Sequence, residues 1–416
     1  MLIPSLQKHI QSVNRALAVH GLFPRARTVT GSTLEPEIVV DGRRVLQFCN
    51  GNYLGLGNDP RILLAHIGTT ASHGVSASGS RRVTGTQEVH LELEREIARF
   101  MGEETALVTF LVSVCTQGLL PGVLRCKWRQ IPQVQAALGD VELGRIEVFF
   151  DQYTHPTVRS ACVLAQPAAI TTYRHADLEH LEKKLKTSRA STLIIATDGV
   201  FSAHGDVAPL PDLVELAERY EAALFVDDSH GTGILGPHGR GTWDHFGLDP
   251  RRIDFKVGSL AKAFATGMGG FVVGAPVLTE YLRDNLEHYI FGGSMPPAHA
   301  KAATTALRIA REEPWRRQLA LERSDYLRSQ LQARGFDTLG ARFHITPILI
   351  GREEDAFRVQ RELEAQGIYV WPFHYPAIPR GRAILRVNVT ALHTVDHLDR
   401  FVEALSTCAR GRRLAG

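Results

Sequence analysis

Cysteine is scarce in this chain of 416 residues, and its five occurrences, Cys49, Cys115, Cys126, Cys162 and Cys408, are odd in number and widely scattered. With no Cys-x-x-Cys clip among them, neither a disulfide framework nor a zinc clip is expected, and the pattern fits a reduced, cytoplasmic protein. Long apolar runs are also missing, so no segment reads as a membrane span. The first twenty residues contain an early Pro4 and space Leu6, Ile10, Val13 and Leu17 at helical intervals, which predicts a short amphipathic helix and not a secretory core. An excess of one charge is absent too: 47 basic residues offset 44 acidic ones, leaving +3. That balance excludes an extended nucleic-acid groove or an anionic-membrane surface, and pairs such as Arg81-Arg82 and Arg251-Arg252 read as solvated faces. No internal repeat or low-complexity segment is found.

The chain does have enough apolar residue, 44%, to bury a large core, and its length suits one large domain and one smaller. Helical and strand-like patterns alternate along it. Leu93, Ile97 and Phe100 share a helical face before the strand-like Ala106–Phe110; Val148–Phe150 reads as another strand, ending at polar Asp151. Leu178, Leu181 and Leu185 precede Leu193–Ala196, and Leu213, Leu216, Ala217 and Tyr220 precede Ala222–Val226. This rhythm predicts an α/β fold with a mostly parallel sheet between helices, whose strand ends gather polar residues at one edge. Strand-like Ile345–Ile350 and Leu385–Val389 belong to a smaller α+β domain. The expected division is 1–50, an N-terminal segment packing with the small domain, 51–300, the large domain, and 301–416, the small one.

Two motifs carry chemistry. Lys262 lies in the small-residue run Gly258-Ser-Leu-Ala-Lys-Ala-Phe-Ala-Thr-Gly-Met-Gly-Gly270, and 35 residues earlier Val226-Asp-Asp-Ser-His230 ends an apolar run. Singly, each has an ordinary explanation, a solvated helical lysine and a strand end with a cap. In this order and spacing they suit a lysine that links to a cofactor aldehyde and an aspartate that keeps a pyridinium nitrogen protonated, which points to pyridoxal 5'-phosphate.

The frame of Asp227, His230 and Lys262 resembles the α-oxoamine synthases, fold-type I pyridoxal-phosphate enzymes of class-II aminotransferase type. Nearly the whole chain shares the likeness, through Asn52-Tyr-Leu-Gly-Leu56, Gly85-Thr-Gln-Glu-Val-His90, Ala196-Thr-Asp-Gly-Val-Phe-Ser202, Gly236-Pro-His-Gly-Arg-Gly241 and Arg380-Gly-Arg-Ala-Ile-Leu-Arg386. Within the family the motifs look most like the glycine C-acetyltransferase (2-amino-3-ketobutyrate ligase) branch. The resemblance implies a C-acyltransferase that condenses glycine, alanine or serine with an acyl thioester, delivered by coenzyme A or an acyl carrier protein. It further implies a homodimer with its active site at the subunit interface.

By the same resemblance Lys262 is the cofactor-bearing lysine and the base at the substrate's Cα, Asp227 holds the ring nitrogen, and His230 bonds the ring hydroxyl or the substrate carbonyl. His155 matches a ring-stacking histidine, although alone it would read as a capping residue. Ser202 matches a serine near the ring hydroxyl, and Ser259 a phosphate hydroxyl. The backbone at Val112 and Ser113 falls where the family binds phosphate, Ser294 matches a phosphate contact from the neighbouring subunit, and Asn52 and Arg386 are the substrate-binding candidates. No residue is assigned to a metal.

Three departures stand out. Leu111-Val-Ser-Val-Cys-Thr116 replaces the family's small-residue phosphate turn, Gly51 stands where glycine C-acetyltransferase has asparagine, and residues 121–147 read as an insert, a surface loop or extra helix. Whether the product is decarboxylated stays open. The rival readings are a decarboxylating long-chain or specialised-metabolite synthase of serine palmitoyltransferase or autoinducer-synthase type, a fold-type I aminotransferase, and a degenerate partner subunit.

Overall fold

The polar strand ends expected from the sequence are brought together by a single seven-stranded sheet. In this computed structural model, which describes residues 2–19 and 27–409, its strands are β1 (Thr105–Thr109), β2 (Ile146–Asp151), β3 (Ala169–Tyr173), β4 (Thr192–Asp198), β5 (Ala222–Asp227), β6 (Phe255–Ser259) and β7 (Gly270–Gly274). Across the sheet the order is β1-β7-β6-β5-β4-β2-β3. Neighbours from β6 to β3 pair in parallel, whereas β7 runs antiparallel to both β1 and β6. Strands buried on both faces read as continuous apolar runs, which is why β4 and β5 were legible. Two strands were not foreseen: β3 alternates partly exposed threonines, and β7 is a short Phe-Val-Val run bracketed by glycines.

The intervening helices bury the stripes that predicted them. Helix Glu88–Met101 buries Leu93, Ile97 and Phe100 and ends at Gly102 in the left-handed region, φ 70°. Such a termination favours glycine because a Cβ is strained there. Asp177 caps helix Leu178–Thr187 by accepting from the His180 amide, and helix Leu210–Arg219 buries Leu213, Leu216 and Ala217. The N-terminal helix spans Pro4–Val19 as its spacing implied, with no buried residue.

Two compact units emerge. One comprises Gly51–Ser202 with Val207–Gln318 and contains the seven-stranded sheet; the other collects the described residues up to Asn50, Ala203–Asp206 and those from Leu319 onward. In the second unit a three-stranded antiparallel sheet orders Ile345–Gly351, Ala383–Asn388 and Trp371–Phe373, and helices Glu353–Ala365 and Val395–Ala409 share its core.

A buried cation braces the first unit. Lys256 on β6 donates from Nζ to the carbonyls of Pro250 (2.7 Å) and Ile253 (2.8 Å) and lies 3.3 Å from Glu103. Burial lowers the lysine's pKa and raises that of Glu103, so each charge depends on the other. Lys256→Met is expected to lower the unfolding free energy by about 3–5 kcal/mol, because it leaves a buried carboxylate unpaired; chemical denaturation measures it.

Candidate active site

Parallel strands deliver their carboxyl ends to one edge of the sheet. Here β2, β4 and β5, adjacent in that sheet, end in Asp151, Asp198 and Asp227, and β6 ends in Ser259. All four are buried, and register places Asp198 directly beside Asp227. Burial first, then the charge of Asp227, drives Asp198 well above the usual carboxylate range, opposed by the His155 amide and the Lys262 cation. Asp198 accepts from that amide at 3.1 Å.

Asp227 is held at both oxygens. Its Oδ2 accepts from the Thr116 hydroxyl at 3.0 Å and its Oδ1 from the Ser229 amide at 3.1 Å. Three residues on, His230 is buried, with Nδ1 2.9 Å from the Tyr53 hydroxyl. Lys262 follows β6 in a loop pinned by Thr266, whose hydroxyl donates to the Leu260 carbonyl at 2.8 Å. Gly51 lies beside the stem of this lysine, where a Cβ would make ordinary contact, 3.6 Å from its Cα.

Helix Val112–Leu124 begins beside these groups. Its N-cap, Leu111, offers no side-chain acceptor, so the first amides are left for another partner, and an uncapped helix N-terminus attracts an anion. Gly270 permits this approach, since a Cβ there would fall 2.3 Å from the Cα of Val112. Val112, Ser113, His155, Asp198, Asp227, Ser229, His230 and Lys262 line one cleft. The Ser229 hydroxyl, buried there, has no hydrogen-bond partner among the described residues.

The other expected residues have definite surroundings. His155 caps helix Pro156–Leu164, its Nδ1 accepting from the Thr157 amide at 3.3 Å, so the capping arrangement and a place in the cleft coexist. Ser259 accepts from the Ala261 amide at 3.2 Å. The side-chain oxygen of Asn52 closes a turn by accepting from Leu56 (2.8 Å) and Gly57 (3.2 Å). Ser202, half-buried in the segment after β4, is not among the residues lining the cleft. Ser294 donates to the Gly79 carbonyl at 2.9 Å and lines a separate small cavity with Arg81 and His90. Arg386 belongs to the second unit, where its guanidinium lies 4.6 Å over the Phe373 ring and lines a cavity with Cys49, Tyr369 and Trp371.

Sequence reasoning passed over Asp198, Thr116, Ser229 and Tyr53. Asp198 carried a usable signal, since it ends an apolar strand just as Asp227 does. Thr116 and Ser229 carried none, because their role depends on packing a helix against a strand end.

A model of the family described as aminotransferase class I and II matches residues 43–405. The chain is 37% identical to the 8-amino-7-oxononanoate synthase of Symbiobacterium thermophilum, over 92% of each chain. It is also 37% identical to the one of Geobacter sulfurreducens, over 94% of this chain and 95% of that one. Among solved structures, a serine palmitoyltransferase from S. paucimobilis with bound PLP–myriocin superimposes with a TM-score of 0.88, at 27% identity and 99% coverage of both chains.

Below the cleft, Asp228 ties down the glycine-rich segment after His230. It accepts from the amide and hydroxyl of Thr242, the latter at 2.7 Å, and a Cβ at Gly199, Gly231 or Gly241 would strike its carboxylate. Burial pushes its pKa from 3.8 up to about 6, against the lowering effect of the Thr242 bonds. A carboxyl raised on folding favours the folded state below its folded pKa, and that gain is lost as pH climbs from 3.8 through about 6. Asp228→Asn should therefore remove roughly 2 to 3 kcal/mol of pH dependence between pH 4 and 7, read by comparing urea unfolding of both proteins across that range.

Proposed function

The chain belongs to the aminotransferase class I and II family and, within it, to the α-oxoamine synthases, and from that membership we propose that the cleft around Lys262 joins alanine to an acyl thioester whose chain ends in a carboxylate. The enzyme is a pyridoxal-phosphate-dependent C-acyltransferase that condenses an amino acid with an acyl thioester. The nearest-looking branch by motif, glycine C-acetyltransferase, and the relatives named 8-amino-7-oxononanoate synthase share the family's chemistry. The motifs around Lys262 serve the cofactor, so they speak for the family more than for the branch.

The donor set suits this cofactor. An amine, an oriented carboxylate, an uncapped helix N-terminus and the unpartnered hydroxyl of Ser229 meet in one cleft, matching an aldehyde, a ring nitrogen and a phosphate. That coincidence carries the reading. Pyridoxal phosphate, when bound, supplies the electron sink for negative charge at the amino acid's Cα. Lys262 holds the cofactor through Nζ and, once freed, takes the Cα proton on that nitrogen. Asp227, fixed by Thr116 and Ser229, keeps a proton on the ring nitrogen. The amides of Val112 and Ser113, with Ser259, hold the phosphate; His155 covers the ring. His230, oriented by Tyr53, donates toward the ring hydroxyl or the substrate carbonyl, with Ser202 assigned to the same hydroxyl. Arg386 takes the substrate carboxylate, for which a guanidinium fork is shaped, and Asn52 assists.

Alanine is favoured by the product in the relatives' name. An 8-amino-7-oxo acid of nine carbons is a seven-carbon acyl group joined to the two carbons alanine retains after its carboxyl leaves as carbon dioxide, with the thiol as the other product. Serine with a longer chain is the second reading, supported by the likeness to serine palmitoyltransferase.

A homodimer is part of the proposal. Leu63, Leu64 and Ile67 form an exposed apolar row on helix Pro60–His73, and Phe291, 81% exposed, leads into Gly292-Gly293-Ser294. Such patches are uncommon on monomers, and Ser294 is the residue assigned to the neighbour's phosphate. A cytoplasmic location is supported by the five free cysteines.

The test is a visible titration. Purified protein with its cofactor is expected to show a lysine-linked band near about 420 nm that responds to alanine more strongly than to glycine or serine, and Lys262→Ala should abolish turnover while leaving the fold intact. No such band in the wild type, even with added pyridoxal phosphate, would count against the enzyme; a response to serine alone would favour the second reading.

A further inference from the structure

One cavity in the first unit lies away from the catalytic cleft, and its walls include the segment after helix Val112–Leu124 that the sequence marks as an insert. Its volume is about 500 Å³, within the range of small-molecule sites. Helices Val112–Leu124 and Pro156–Leu164 both begin beside the catalytic cleft, at Val112, Ser113 and Thr157, and both end at this cavity, through Pro121, Gly122 and Leu164.

The insert is fastened in place. Its 3-10 turn, Lys127–Gln130, donates from the Trp128 indole to the Asp284 carbonyl at 2.8 Å, and Lys127 pairs with Glu287 at 2.8 Å. A second short helix, Pro132–Leu138, follows. Gly118 and Gly122 allow the opposite wall to close in, since Cβ atoms there would meet Leu286 at 2.8 Å and the Asn285 carbonyl at 3.0 Å. The result is a built pocket and not a loose flap.

Its chemistry is amphipathic. Trp128, Ile131 and Leu164 present exposed apolar surface around the opening. The charges mostly cancel: Lys127 with Glu287, and Asp284 with Arg82 at 2.8 Å. Arg125 is left over. It donates to the Leu164 carbonyl at 3.2 Å and makes no ion pair among the described residues. With Asp284 paired to Arg82, the wall sets two cations, Arg125 and Lys127, against the single carboxylate of Glu287, and an apolar chamber with that excess complements an aliphatic chain that ends in an anion.

We propose that this cavity is a second ligand site, taking a medium-length aliphatic chain with a terminal carboxylate against Trp128 and Ile131, its charge met by Arg125. Two sources share that chemistry: the distal end of the acyl donor, which rests on the condensation proposed above, or a free fatty acid.

The experiment is calorimetric titration of the cofactor-loaded protein with octanoate and, as a neutral control of equal chain length, octanol. Wild type is expected to prefer octanoate by roughly tenfold. Arg125→Ala should erase that preference, and Trp128→Ala should weaken both ligands; unchanged circular dichroism verifies that the variants fold. Competition between octanoate and the acyl thioester, with a KM raised by Arg125→Ala for the thioester alone, identifies the donor's own chain. Binding without competition identifies a separate acid. If wild type takes up no octanoate, because a second copy of the chain covers the cavity or for any other cause, or if Arg125→Ala binds it unchanged, the proposal is overturned. Calorimetry needs no turnover, so failure here leaves the condensation reading standing, and failure of the visible titration leaves this one.

Discussion

Carboxylates repel one another in a buried site, yet three adjacent strands of this sheet end in Asp151, Asp198 and Asp227. The surroundings answer that repulsion differently at each position. Asp151 is satisfied locally, accepting from the Tyr153 and Ala176 amides and lying 2.9 Å from His175 Nδ1. It organises a loop. Asp198, pressed between burial and its neighbour, is driven toward its protonated form. Asp227 is held in one orientation by Thr116 and Ser229. The Lys262 cation opposes the upward push on Asp198 and lines the same cleft as Asp227.

The rest of the first unit supports that edge. Gly270 lets helix Val112–Leu124 start against the sheet, bringing an N-terminus without a side-chain cap to the same cleft as Lys262. Asp228, pointing away from the chemistry, fixes the chain that leaves His230. Adjacent aspartates thus differ in setting: Asp227 lines the cleft with Lys262, and Asp228 anchors the loop behind it. Glycine is used where backbone must approach side chain, as at Gly199, Gly231 and Gly241 over the Asp228 carboxylate.

Much of this was legible in the sequence, and the limits have physical causes. Strands buried on both faces announce themselves as apolar runs, so β2, β4 and β5 could be read directly, with Asp151 and Asp227 at the ends of two of them. Lys262 stood out by its small-residue run and its spacing from Asp227, and His230 by the family frame. Strand β7 escaped because five residues between glycines give too little periodicity, and β3 because its threonines are partly exposed. Thr116 and Ser229 were invisible for another reason: a hydroxyl or an amide becomes part of a site only when packing brings it to a carboxylate. Asn52 shows the reverse case, a residue legible by motif whose side-chain oxygen is engaged in closing a turn. The branch of the family was the least legible feature, since no short motif encodes the walls of a pocket.

The central claim is that Lys262, and no other lysine, carries pyridoxal phosphate. Reducing the purified protein with borohydride and mapping its peptides by mass spectrometry tests this most directly, because reduction fixes the cofactor's carbon to whichever amine holds it. One pyridoxyl group per chain is expected, on the peptide containing Lys262. Its attachment to Lys256 or to surface lysines, or its absence from protein supplied with the cofactor, would contradict that claim.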